Sequence, residues 1–184
     1  MLNNAVRVEN EVAAITLMRY ALSSHESGLV PEVYGWNTAA EGRGWIIEER
    51  MHGQALHKIF PIMSFEHQEE ILQQIARVFK AIQSYELPNT ITGYGGLTFG
   101  AKGEVISGAT TIWFGGPSDT FKYIYAQIFE KQLEFAETTK LVNGCKENPS
   151  LRQRLRTFQC RCLEKVLKNF SVTRRTLVHG DLGE

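Results

Sequence analysis

The tripeptide His179-Gly180-Asp181 directly follows a short apolar run, Thr176-Leu177-Val178. The run reads as a strand, and a loop leaving a strand projects its side chains outward from a firm base. A carboxylate held there can accept or orient the proton of a hydroxyl whose oxygen attacks phosphorus, while surrounding cations absorb the phosphate charge. The histidine two residues earlier would brace the loop through its ring nitrogens, and the glycine between them lets the backbone turn sharply. The same three residues have two other readings. One is a polar turn in which Asp181 caps whatever follows. The other is a metal site, because His179 and Asp181 can face one ion. The remaining histidines, His25, His52, His57 and His67, have no spacing that completes a ligand set, so no metal ligand is assigned.

Elements that could position this loop are legible along the chain. Val8, Val12, Ile15 and Leu22 recur at helical spacing, reinforced by Ala14, Leu17, Met18 and Ala21, which describes a helix buried on more than one side. Gly28 and Pro31 end it; Val33 to Trp36 reads as a short strand and Trp45-Ile46-Ile47 as another. Ser64 is placed to cap a long helix carrying Ile71, Leu72, Ile75, Val78, Phe79 and Ile82, which Pro88 stops. Leu97-Thr98-Phe99 and Val105-Ile106 flank Gly100-Ala101-Lys102-Gly103, the composition of a hairpin with a four-residue turn. A helix bearing Phe121, Ile124, Tyr125, Ile128 and Leu133 follows Gly115-Gly116-Pro117. A further helix starts with Asn148 as cap and Pro149 at its first position and runs to Phe170. This order has no regular βαβ alternation, which argues against a doubly wound sheet and for an α+β chain. The Gly115-Gly116-Pro117 turn admits a phosphate cradle at a helix N-terminus, but a loop that starts the next helix is the favoured reading.

At 184 residues the chain has room for one domain with a sizeable core. Twenty basic side chains balance twenty acidic ones, so the overall charge that draws proteins to nucleic acid or anionic lipid is absent. Locally, residues 151–175 carry eight basic side chains against Glu164 alone. Arg152, Arg154, Arg156, Arg161, Lys165 and Lys168 take the polar positions of an amphipathic helix without interleaved aromatics, which favours a solvated face over a nucleic-acid surface. Cys145, Cys160 and Cys162 are odd in number, and the last two diverge on a helix, as suits a reduced, cytoplasmic chain. No apolar stretch approaches the ~18 residues of a membrane span.

Taken together, several stretches resemble, in order, the aminoglycoside phosphotransferase and choline kinase branch of the protein-kinase-like fold, and in particular its fungal members. Glu11-Val12-Ala13-Ala14-Ile15 with Val30-Pro31-Glu32-Val33-Tyr34-Gly35 resembles helix C and the strand after it. Trp45 to Gly53, with Leu56, resembles the strand, hinge and Gly-x-x-Leu that join the two lobes. Thr92-Gly93-Tyr94-Gly95-Gly96-Leu97 and Gly115-Gly116-Pro117 resemble stretches of the fungal members, and Leu177-Val178-His179-Gly180-Asp181-Leu182 matches the catalytic loop. The resemblance covers essentially the whole chain.

The resemblance implies a two-lobe fold, with residues 1–50 a remnant of the small lobe and 51–184 part of a mostly helical large lobe. It implies ATP and Mg2+ as cofactors and a small-molecule hydroxyl acceptor: an aminoglycoside, a choline-like amine or another metabolite. Asp181 would be the catalytic base and His179 its support. Glu11 would be the helix C carboxylate that pairs with a phosphate-holding lysine, although a first-turn acid favoured by the helix dipole is its plainer role. Glu49 and Met51 fall where hinge backbone groups bond adenine, and Glu48 departs from the family by placing a polar residue where an apolar one lines the nucleotide pocket. The family's Gly-rich loop and lysine are expected upstream of Met1, and its catalytic-loop asparagine two positions past Glu184. A chain without them is expected to be inactive alone. It would then be a non-catalytic kinase-like binding module or an incomplete gene product.

Overall fold

The structure is a computed structural model that describes residues 4–25, 28–38, 43–111, 115–139, 147–169 and 174–178. Helix predominates and the strands form two separate antiparallel pairs, an α+β arrangement. Helix α1 (Asn4–Ala21) sits between the two pairs, with β1 (Val33–Asn37) and β2 (Trp45–Glu48) on one side and β3 (Gly96–Phe99) and β4 (Val105–Gly108) on another. Two faces of α1 are therefore apolar, as its sequence implied. Ala13 and Leu17 join Ile91 and Val105 in a buried cluster, while Val8 lies so close to Gly44 that a Cβ there would strike its Cγ2. The first cluster draws in Tyr85, Leu87, Leu97 and Phe99, and Trp36 stacks on Phe99 with ring centroids 5.6 Å apart.

Polar contacts fix how α1 docks on the β3–β4 hairpin. The Glu9 carboxylate accepts from Thr98 Oγ1 at 2.6 Å and from the Phe99 N–H at 3.1 Å, and Asn10 Nδ2 donates to the Leu97 carbonyl at 3.2 Å. A hydrogen bond to a charged group contributes ~1.5–3 kcal/mol, so Glu9→Ala is expected to cost about 2 kcal/mol in urea unfolding and Glu9→Gln less. Equal stability of Glu9→Ala and wild type would show that the carboxylate is no anchor.

Helix α2 (Leu56–Ile59) and a 3₁₀ turn (Phe60–Ile62), neither anticipated from the sequence, lead into α3 (Phe65–Ser84). Ser64 caps α3 as expected, accepting from the His67 N–H at 3.4 Å. Its first turn holds Glu66, whose carboxyl is kept below its ordinary value by hydrogen bonding to its own backbone N–H and then to Ser64. The small stabilisation this represents is present above the unfolded-state value and lost as pH falls through the depressed one. The hairpin closes through the Gly103 N–H to the Gly100 carbonyl, with Gly103 at φ 79° where glycine is favoured.

Helix α4 (Phe121–Thr138) is capped by Thr120, and α5 (Pro149–Phe158) by Asn148, whose Oδ1 accepts from the Leu151 N–H at 3.1 Å. A π-helical turn (Gln159–Leu163) joins α5 to α6 (Glu164–Lys168), and the turn and α6 pack on α4. Arg156 departs from the solvated face expected of its neighbours. It reaches Glu130 at 2.9 Å and Glu137 at 3.1 Å on α4, and these hydrogen bonds, the first above all, strengthen its hold on its proton against a partial loss of water. Arg154, Arg161 and Lys165 are exposed, as that reading required.

Candidate functional site

Residues 174–178, which lead into the His179-Gly180-Asp181 motif, are held by side chains rather than by a sheet. The expected strand over 176–178 does not form; each sheet has two strands, and this segment pairs with neither. Instead Arg174 Nη2 donates to the carbonyls of Ser84 at 2.6 Å and Tyr85 at 3.0 Å. These lie at the C-terminus of α3, where carbonyls lack partners within the helix and a positive charge is favoured. Arg175 Nη1 donates to the Thr92 carbonyl at 2.6 Å, and its guanidinium lies 5.9 Å from the centre of the Tyr94 ring. Leu177 packs against the Ala13, Leu17, Ile91 and Val105 cluster. His179 and Asp181 themselves lie outside the described residues, so the structure gives the anchorage of the motif's lead-in and not the motif.

A cavity of about 400 Å³ opens beside this segment, between α1, residues 87–97, the start of α4 and residues 174–178. Its wall is largely apolar and aromatic: Ile91, Tyr94, Phe121, Ile124, Tyr125 and Leu177. Phe121 meets Tyr94 edge-on with centroids 6.0 Å apart and lies tilted against Tyr125 at 4.6 Å. A second cavity of about 470 Å³, reaching Glu86, Pro88 and Asn89, shares Tyr94, Arg174 and Arg175 with the first. A larger open groove of about 660 Å³ between α3 and the residues after α1 shares none of these.

Glu11 stands on α1, exposed, and makes no ion pair among the described residues. Glu49 extends the β1–β2 ladder by one more pair: its N–H donates to the Glu32 carbonyl at 2.7 Å and its Oε2 accepts from the Glu32 N–H at 3.2 Å. The Glu49 carbonyl and both backbone groups of Met51 have no partner among the described residues, and residues 49–54 are exposed throughout. Such groups are satisfied by water, or by a ligand that presents a matching donor and acceptor. None of Glu11, Glu49 and Met51 lines the cavities beside residues 174–178.

Gly115-Gly116-Pro117 is not a phosphate cradle. The Gly115 N–H donates to Thr110 Oγ1 at 3.0 Å, the Gly116 N–H to Gln127 Oε1 at 3.1 Å and the Ser118 N–H to the Tyr94 carbonyl at 2.8 Å, so the donors are already committed. Here the glycines serve close approach. A Cβ on Gly95 would lie 2.6 Å from the Gly108 carbonyl oxygen, and one on Gly116 3.1 Å from the Gly95 Cα.

Sequence reasoning passed over the anchoring roles of Glu9, Asn10, Arg174 and Arg175. The one signal available was their position: two polar residues preceding a buried helical stretch, and a basic pair just before an apolar triad. Comparison with protein-family models, curated proteins and solved structures finds no match for the chain.

Proposed function

We propose that the chain belongs to an ATP-dependent phosphotransferase of the two-lobe, protein-kinase-like type, acting on a hydroxyl of a small molecule. In this reading residues 1–50 belong to the small lobe and 51–184 to the large one. The observation that carries it is the anchorage of residues 174–178: Arg174, Arg175 and Leu177 hold the lead-in to His179-Gly180-Asp181 at the rim of a cavity of small-molecule size. The adenine end of ATP suits the hinge, where the Glu49 carbonyl and Met51 N–H offer an acceptor and a donor two residues apart. Among the described residues no group of three or more His, Cys, Asp or Glu side chains is placed to hold a metal ion, and no step is assigned to magnesium.

Bound ATP supplies the phosphoryl group. Asp181 takes the proton of the acceptor hydroxyl as that oxygen bonds to the γ-phosphorus, the bond from that phosphorus to the bridging oxygen breaks and ADP leaves, and His179 braces the loop. Glu11 keeps its assignment as the helix C carboxylate, its exposed side chain making no ion pair among the described residues.

Hinge contacts reach the base alone, so on the 184-residue chain ATP with magnesium is expected to bind no more tightly than adenosine. Both ligands are expected to shift the Met51 amide resonance in an NMR titration. A Met51 amide unmoved at saturating adenosine would overturn the hinge assignment and the nucleotide reading with it. A micromolar dissociation constant for ATP with magnesium, worth ~8 kcal/mol, would show that other residues of the chain build a phosphate site.

A further inference from the structure

The guanidinium groups of Arg174 and Arg175 stand where the two cavities meet, and each uses a single terminal nitrogen to hold the backbone. Their other nitrogens make no hydrogen bond among the described residues, and neither group has a carboxylate within ion-pair distance there. Two such cations on one short segment create a positive potential that an anionic group can relieve, and an arginine fork suits a carboxylate or phosphate best. The adjoining wall of Tyr94, Phe121, Ile124 and Tyr125 offers apolar and π surface to a flat body. We infer that the cavity beside residues 174–178 binds an aromatic hydroxy acid, its ring against Phe121 and Tyr125 and its acidic group on Arg174 and Arg175. The assignment of this ligand as the phosphoryl acceptor rests on the proposed phosphotransfer; the binding site does not.

An arginine fork suits a carboxylate and a phosphate alike, and the choice of a carboxylate, like the acceptor assignment, rests on the proposed phosphotransfer, in which the ligand gains its phosphate at a free hydroxyl. Cationic acceptors, the aminoglycosides and choline-like amines, meet repulsion from the same two side chains.

The probes are 6-hydroxy-2-naphthoate, uncharged 2-naphthol and cationic 2-naphthylmethylamine, titrated onto the 184-residue chain by fluorescence without ATP. The naphthoate is expected to bind at least tenfold more tightly than naphthol, with a salt dependence that naphthol lacks, and the amine weakest. Arg174→Gln/Arg175→Gln is expected to bring naphthoate down to the level of naphthol. Because that double variant can also undock the segment, Ile128→Trp, on the α4 side of the cavity, provides a second test and is expected to weaken naphthoate and naphthol alike. Equal affinity of naphthoate and naphthol, tightest binding by the amine, or naphthoate binding unchanged in both variants would each overturn the inference. Naphthoate binding with the expected preference, but without phosphate transfer from ATP in a protein that carries both lobes of the proposed fold, would leave the site standing and count against phosphotransfer. Binding by 2-naphthyl phosphate tenfold tighter than by the naphthoate would replace the carboxylate with a phosphate and overturn the acceptor assignment.

Discussion

Asp181→Asn is expected to lower turnover by ~10²–10⁴ while leaving nucleotide affinity nearly unchanged. In the proposed phosphotransfer the acceptor hydroxyl loses its proton as its oxygen bonds to phosphorus, and asparagine keeps the size and most of the hydrogen bonding of aspartate but has no basic oxygen. The loss should therefore appear in kcat with little change in the affinity for ATP. His179→Ala is expected to cost less and to act partly through stability, since the role proposed for it is to brace the loop. The comparison follows phosphate transfer from labelled ATP to a screened panel of hydroxyl acceptors, in a protein that carries both lobes of the proposed fold. Near-normal turnover by the Asp181→Asn protein would remove the His179-Gly180-Asp181 loop from catalysis.

Leu17→Ala is expected to destabilise the chain by ~2–5 kcal/mol, the range for removing a buried leucine whose surroundings collapse only partly. Leu17 is 1% exposed and belongs to the cluster on which Leu177 packs, so the same substitution should loosen residues 174–178. Against the ~5–15 kcal/mol total of an ordinary domain this is a large share. Ile47→Ala provides the contrast. Ile47 is 56% exposed on β2, and its truncation is expected to change stability by no more than ~0.5 kcal/mol. Urea unfolding of the two variants tests the placement of the core. Equal losses, or a larger loss for Ile47, would show that the apolar centre is not where α1 meets residues 91–105.

Much of the local structure was legible because its causes lie within a few residues. Ser64 and Asn148 each offer a short polar side chain to an N–H three residues on, and each begins a helix where expected. Val8, Val12, Ile15 and Leu17 mark α1 as buried on more than one side, and the glycines at 100 and 103 mark the turn between β3 and β4. The stretch after β2 was singled out by the family resemblance and by no local cause, and it is exposed. Its unpaired carbonyl and N–H are what the ladder leaves over once Glu49 has paired with Glu32.

Tertiary structure alone decided what holds the candidate site. Arg174 bonds carbonyls of residues 84 and 85, Arg175 that of residue 92, and Glu9 bonds Thr98 and Phe99. Most of these partners are backbone groups that every residue carries, so no side chain in the sequence marks them. The run Thr176-Leu177-Val178 has the composition of a strand, but a strand also needs an unpaired neighbour in reach, and the fold gives this segment a core contact and two arginine anchors instead. Composition sets what a segment can do; which partner is within hydrogen-bonding distance depends on how α1, α3 and the β3–β4 hairpin come together.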